Sequence, residues 1–152
     1  MIERAGDLWE IATAGQAAVV ITTNGSVRKD GCAVMGTGCA LEAKKKFPGI
    51  DHDLGSVIAS AGNHVTVLRD FICDGISLLT FPVKAEWHYK AEVGLIEHSA
   101  RELVNICDSL AIRKVVLPRP GCGSGRLRWA DVRPVLAAIL DDRFVVVHRK
   151  GE

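Results

Sequence analysis

The run Lys114-Val115-Val116-Leu117-Pro118-Arg119-Pro120-Gly121-Cys122-Gly123-Ser124-Gly125-Arg126 passes from a short β-branched apolar segment straight into a glycine-rich loop. Downstream, Val132, Val135, Leu136, Ile139 and Leu140 recur at helical spacing. Strand, glycine loop and helix in that order read as one unit of an α/β layered fold. Upstream the same order repeats. Ala17-Ala18-Val19-Val20-Ile21-Thr22-Thr23 reads as a buried central strand closed by Asn24-Gly25, and Gly31-Cys32-Ala33-Val34-Met35-Gly36-Thr37-Gly38 leads into a short helix over 38–47. Val57-Ile58-Ala59-Ser60 and His64-Val65-Thr66-Val67-Leu68 are expected to form a hairpin turning at Gly62-Asn63. Ile76-Ser77-Leu78-Leu79-Thr80-Phe81 and Phe144-Val145-Val146-Val147 complete the strands. Ile96, Ala100, Leu103, Val104, Cys107 and Leu110 stripe a long helix from Val93. Pro134 is expected to lie in the first turn of the last helix, where a missing N–H costs nothing. The whole predicts a mixed sheet covered by helices.

The chain has 152 residues, the size of one domain, and no repeat or linker divides it, so 1–152 is taken as a single domain. With 48% hydrophobic and 24% charged residues it has globular composition. Nineteen basic against eighteen acidic side chains leave a net charge of +1, which argues against electrostatic capture of a nucleic-acid backbone or a membrane. No apolar run is long enough to span a bilayer, and the start has no signal-peptide pattern. Five cysteines, an odd number, fit a reducing compartment better than a disulfide framework, so a cytoplasmic location is expected. The histidines at 52, 64, 88, 98 and 148 show no metal-ligand spacing with one another or with the cysteines, and no metal or cofactor is expected.

Two glycine-rich loops at like positions suggest a clamp for a pyrophosphate. Glycines let backbone approach a ligand, and free N–H groups at a helix start attract phosphate oxygens. Tight turns that merely need glycine are the alternative for either loop alone. Neither loop continues as a P-loop, the Gly36–Gly38 pair lacks the third glycine of a dinucleotide fingerprint, and Ser124 lacks the frame of a nucleophile elbow. Cys122 and Arg126 are too close for the phosphate cradle of cysteine phosphatases.

Gly6-Asp7-Leu8, Asn24, Met35-Gly36-Thr37-Gly38 and the run Leu117-Pro118-Arg119-Pro120-Gly121-Cys122-Gly123 with Trp129 together resemble a macro domain, the family that binds ADP-ribose in a three-layer α/β/α fold. Within it, Lys44-Lys45-Lys46-Phe47 and the Pro-Arg-x-Gly-Cys-Gly loop are similar to the branch of terminal ADP-ribose protein glycohydrolase and the DNA ADP-ribosyl glycohydrolase antitoxins. The resemblance implies that Asp7, with Leu8, receives the adenine amino group. It implies that Asn24 bonds the distal ribose and that Met35, Gly36, Thr37 and Gly38 wrap that ribose and one phosphate. Pro118, Arg119, Pro120, Gly121, Cys122, Gly123, Ser124, Gly125 and Arg126 would present the second loop to the pyrophosphate. Residue by residue, Asp7 also reads as a helix cap, Asn24 as a turn residue and Arg126 as a solvent-facing charge.

Lys84 follows Phe81-Pro82-Val83 at the end of a buried strand, where it is either an exposed loop lysine or held near the ligand. The resemblance implies that it acts on the anomeric carbon of the distal ribose, which requires a neutral amine and hence a lowered pKa. One departure stands out. The protein glycohydrolase carries an acid where this chain has Gly125, which weighs against cleavage of protein esters. Trp87 could wall the ribose or simply pack, and His148 ends the last strand near the expected adenine. The resemblance thus implies a monomeric ADP-ribosyl glycohydrolase acting on ADP-ribosylated DNA or protein. A non-enzymatic ADP-ribose reader and a phosphatase acting on ADP-ribose 1''-phosphate are the alternatives.

Overall fold

The computed structural model describes residues 1–72 and 76–152. The elements run β1 (Ile2–Ala5), α1 (Leu8–Gly15), β2 (Ala18–Asn24), α2 (Gly38–Lys46), α3 (Ile50–Ala61), β3 (Val67–Ile72), β4 (Ile76–Lys84), α4 (Val93–Ser109), β5 (Val115–Pro118), α5 (Trp129–Ala137) and β6 (Phe144–His148). One sheet has the order β1-β6-β5-β2-β4-β3. All neighbours pair parallel except β3, which pairs antiparallel with β4. The sheet is therefore mixed, as the element order predicts.

Alternation along the strands sends side chains into two cores. Ala18 and Val20 of β2, Leu79 and Phe81 of β4, and Phe144 and Val146 of β6 pack on one face with Ile96, Ala100 and Leu103 of α4 and Val132 and Leu136 of α5. Val19 and Ile21, Leu78, Val116 and Val147 pack on the other with Leu8, Trp9 and Ala12 of α1, Ala40 and Ala43 of α2, and Ile50 and Leu54 of α3. The central strands are buried on both faces because helices cover both, giving the three-layer α/β/α sandwich.

Three expectations are corrected. Val57–Ser60 is not a strand and no hairpin turns at Gly62-Asn63; the segment belongs to α3. Ile50, Leu54 and Ile58 recur every four residues and pack on the second core, Asp51 and Asp53 sit in the first turn where the helix dipole favours them, and Gly62 ends the helix. The following strand starts at Val67 rather than His64, and its partner is β4. Pro134 lies in the second turn of α5, not the first. It removes one helical hydrogen bond to Ala130, a loss offset by the fully buried Val132 and Leu136 on either side of it. Nothing in the sequence marks strand β1, since its four residues are all exposed and carry no alternating pattern.

Five parallel strands end on the same edge of the sheet, at Ala5, Asn24, Lys84, Pro118 and His148. Ligand sites in open α/β sheets form at such carboxyl ends.

Candidate active site

A cleft of about 870 Å³ opens along that edge. Four strand ends contribute Asn24, Lys84, Pro118 and His148, and the loops beyond them close its walls. Of the residues expected from the sequence, Asp7, Leu8, Asn24, Met35, Gly36, Thr37, Gly38 and Lys84 line the cleft, as do Pro118, Arg119, Gly121, Cys122, Gly123, Ser124, Gly125 and Arg126. Pro120 does not. It is buried behind the loop, where its carbonyl accepts the Cys122 thiol at 3.4 Å.

Asp7 caps α1. Its Oδ1 accepts the N–H groups of Trp9 and Glu10, both at 3.0 Å, while Oδ2 makes no hydrogen bond among the described residues. The cap and an open acceptor thus coexist on one carboxylate. Asn24 is engaged at both ends of its amide. Nδ2 donates to the Val34 carbonyl at 3.0 Å and Oδ1 accepts the Ser26 N–H at 2.9 Å. It ties the end of β2 to the segment that leads into the first glycine loop.

That loop is narrower than the glycine pattern suggests. Residues 26–34 fold back as a small hairpin bridged at Val27 and Ala33, and only Val34 to Gly38 reach the cleft. Thr37 then starts α2, so the first free N–H groups of that helix open onto the cavity, where an anion is favoured. Across the cleft, the Thr37 hydroxyl donates to Ser124 Oγ at 3.2 Å, joining the tips of the two loops.

The second loop is shaped by contacts that exclude side chains. Gly121 takes φ +73, and a Cβ there would stand 2.9 Å from Ile96 Cδ1. At Gly125 a Cβ would lie 2.6 Å from the Gly121 carbonyl oxygen and 2.7 Å from Ala91 Cβ. Leu127 N–H donates to the Gly121 carbonyl at 2.9 Å and Ala91 N–H to that of Gly125 at 3.0 Å. Gly123 at the tip faces open space.

Lys84 closes the cleft from β4. It is only 8% exposed, so the exposed-loop reading fails. Burial, and secondarily the positive charge of Arg126, lowers the pKa of its amine. The Cys122 thiol is pushed up to about 11 by burial and stays protonated at neutral pH, which removes it as a nucleophile.

The far end of the cleft is built by residues the sequence signals weakly or not at all. The Arg119 guanidinium lies 4.9 Å from the centre of the Trp129 ring, and Trp129 Nε1 donates to Glu3 at 2.9 Å. Arg119 Nε and His148 Nδ1 are buried without a hydrogen-bond partner among the described residues. Thr22, Thr23, His88 and Tyr89 also line the cavity. They leave no local signal, since only the sheet register and the turn after β4 bring them there. Away from the cleft, His64, His98 and Glu102 bring one ligand atom each to within 4.8 Å of one another. The histidine spacing conceals this, because the third partner is a carboxylate and His64 arrives from a different element.

A three-layer sandwich with two glycine loops facing each other at the carboxyl edge defines a class, and known proteins share it. The macrodomain of Mycobacterium tuberculosis DarG superposes with a TM-score of 0.79 at 27% identity, covering 97% of both chains. Among curated proteins, DNA ADP-ribosyl glycohydrolase of Thermus aquaticus is 31% identical over 114 residues, which are 71% of this chain and 31% of that protein. Human ADP-ribose glycohydrolase OARD1 is 27% identical over 107 residues, 70% of this chain and 67% of that one. No family model matches the chain. The chain has the macrodomain fold. Its likeness is to the DNA ADP-ribosyl glycohydrolase branch, although it spans only about a third of the length of the first curated relatives it matches.

Proposed function

We propose that this macrodomain binds ADP-ribose in the cleft and releases it from ADP-ribosylated macromolecules. The observation that carries the reading is Lys84, a buried amine with a lowered pKa set beside a cavity whose two glycine loops touch at Thr37 and Ser124. Backbone N–H groups of both loops would hold the pyrophosphate, which leaves the distal ribose against Asn24 and Lys84 and the adenine toward Asp7 and His148. The neutral Lys84 nitrogen forms a bond to C1'' as the bond from C1'' to the departing group breaks. The electron pair leaves with that group, which takes a proton from the attacking amine. Water then cleaves the nitrogen–C1'' bond, yielding ADP-ribose and the free amine. Positioning by the bound pyrophosphate supplies much of the acceleration. The relatives' names, DNA ADP-ribosyl glycohydrolase and ADP-ribose glycohydrolase, support release of ADP-ribose.

Gly125 favours a second reading, an ADP-ribose reader without turnover, because the second loop offers no acid. Both readings take the chain as one monomeric domain. Four free cysteines among the described residues support a reducing, cytoplasmic setting, and no helix there is long and apolar enough to cross a membrane. The test offers ADP-ribosylated DNA, ADP-ribosylated protein and ADP-ribose 1''-phosphate to the protein and to Lys84→Ala. Release of ADP-ribose from a macromolecule that vanishes in Lys84→Ala, with calorimetric binding retained, supports the hydrolase. Binding without release supports the reader. No binding at millimolar ADP-ribose overturns both.

A further inference from the structure

Immediately beyond Lys84 the chain turns through Ala85-Glu86-Trp87-His88-Tyr89-Lys90. Trp87 and Tyr89 are 57% and 47% exposed, two of the five large hydrophobic side chains exposed among the described residues, and both line the cleft. The turn does not need its rings in order to hold its shape. Gly25 N–H donates to the Ala85 carbonyl at 3.0 Å, Ser26 Oγ donates to Glu86 at 2.6 Å and accepts the Trp87 N–H at 2.9 Å, and Tyr89 N–H donates to the Glu86 carbonyl at 3.1 Å. Backbone and Ser26 therefore fix a platform whose aromatic side chains remain available. Within it the rings meet edge to face. Trp87 and His88 lie 5.2 Å apart at 66°, and His88 and Tyr89 lie 4.8 Å apart at 74°. Such pairs leave ring faces uncovered. Glu86 is spent on Ser26, and the charge left exposed in the turn is Lys90.

We infer that Trp87 and Tyr89 form a stacking subsite for a nucleobase, the one bearing ADP-ribose or its neighbour on a single strand. The inference rests on the glycohydrolase reading, which places the departing group beside Lys84 and hence beside this turn. Exposed aromatic rings beside the reacting group suit a planar base, since any base offers a π-face for stacking. An aspartyl, glutamyl or seryl departing group offers none. The overall charge of +1 gives little help along a strand, so recognition has to come from such local contacts.

The test separates this subsite from turnover by measuring binding in the Lys84→Ala protein. The probes are free ADP-ribose, a short single-stranded oligonucleotide carrying ADP-ribose on one base, and an ADP-ribosylated peptide. The oligonucleotide is expected to bind at least about tenfold tighter than free ADP-ribose, with that advantage lost in Trp87→Ala or Tyr89→Ala and largely restored by Trp87→Phe. In the enzyme with Lys84 intact, Trp87→Ala should raise KM for the oligonucleotide far more than it lowers kcat. Equal losses for oligonucleotide, peptide and free ADP-ribose would overturn the subsite, as would no advantage for the oligonucleotide. If the binding pattern holds while no substrate is turned over, the hydrolase reading fails and the subsite stands. Thermal melting of each variant shows that the turn has kept its fold.

Discussion

Asn24 stands directly opposite Lys84 across the β2–β4 pair, because β4 holds one more residue than β2 between the Thr23–Pro82 pairing and the strand ends. The extra residue, Val83, stays buried in the first core, and Lys84 follows it at the strand end, beside the cleft. Register irregularities of this kind recur beside active sites. The amine that the proposed chemistry requires and the amide that anchors the first glycine loop thus meet at one point of the sheet.

Asn24→Ala should therefore act on the loop before it acts on the ribose. Two hydrogen bonds to 26–34 disappear, which predicts a loss of about 1–2 kcal/mol in stability and a weaker grip on ADP-ribose. Asn24→Asp keeps the acceptor for Ser26 N–H but not the donor to Val34, and should fall between. Denaturant melting and calorimetry with ADP-ribose check both. Wild-type stability with lost affinity would assign the side chain to ligand contact alone.

Restoring an acid at position 125 should fail. A Cβ there runs into the Gly121 carbonyl oxygen and Ala91 Cβ, neither of which is a flexible side-chain end. Gly125→Asp and Gly125→Ala are expected to lower the melting temperature alike and to weaken ADP-ribose binding by displacing the second loop. If Gly125→Asp instead raises turnover on ADP-ribosylated protein, the loop can accommodate the acid, and the absence of one was the bar to that substrate.

Much of this arrangement is legible in the sequence because it is local. Each glycine loop sits between its own strand and its own helix, so residues 35–38 and 118–126 can be assigned to one edge of a sheet without knowing the topology. Lys84 is locatable but its burial is not, since that depends on the register of β2 against β4. Helix α3 is hidden by Val57 and Ile58, which suit a strand, and by Gly62-Asn63, which suits a hairpin. The deciding contacts, Ile50 and Leu54 in the second core, involve distant partners. Pro120 shares the loop's sequence pattern with its neighbours, yet a tight turn points adjacent residues in different directions. In the His64, His98 and Glu102 cluster the last two stand four residues apart on α4, and only His64 is brought in by tertiary structure.

The lowered pKa of Lys84 sets the sign of a pH profile. The nucleophilic form is the neutral amine, so kcat/KM should climb with pH and level off as pH passes the Lys84 pKa, at a value below the ordinary 10.5. Arg126 is the second cause of that shift, and its positive charge disfavours the ammonium form. Arg126→Gln should therefore raise the pKa and move the rising limb to higher pH, costing activity near neutrality while leaving the high-pH plateau closer to wild type. A profile that stays in place in Arg126→Gln would separate the limb from Lys84.

Gly55 offers a test of how the core positions the site. It lies in α3 where a Cβ would overlap the Gly31 carbonyl oxygen and stand 2.9 Å from Ala33 N. Beside it, Ala33 N–H donates to the Asp51 carbonyl at 2.8 Å, so α3 and the base of the 26–34 hairpin are stitched together at closest approach. In an exposed helix Gly→Ala stabilises, because the glycine loses more freedom on folding. Here the steric term wins. Gly55→Ala should destabilise by about 1–3 kcal/mol, and because the hairpin leads into Met35–Gly38, ADP-ribose affinity should fall with it. Gly94, in the first turn of α4 with open space around its Cβ position, is the control, and Gly94→Ala should be neutral or stabilising. Chemical denaturation and calorimetry of the two variants side by side decide the matter. A Gly55→Ala protein as stable as Gly94→Ala would mean that α3 can slide away from the hairpin without disturbing the cleft.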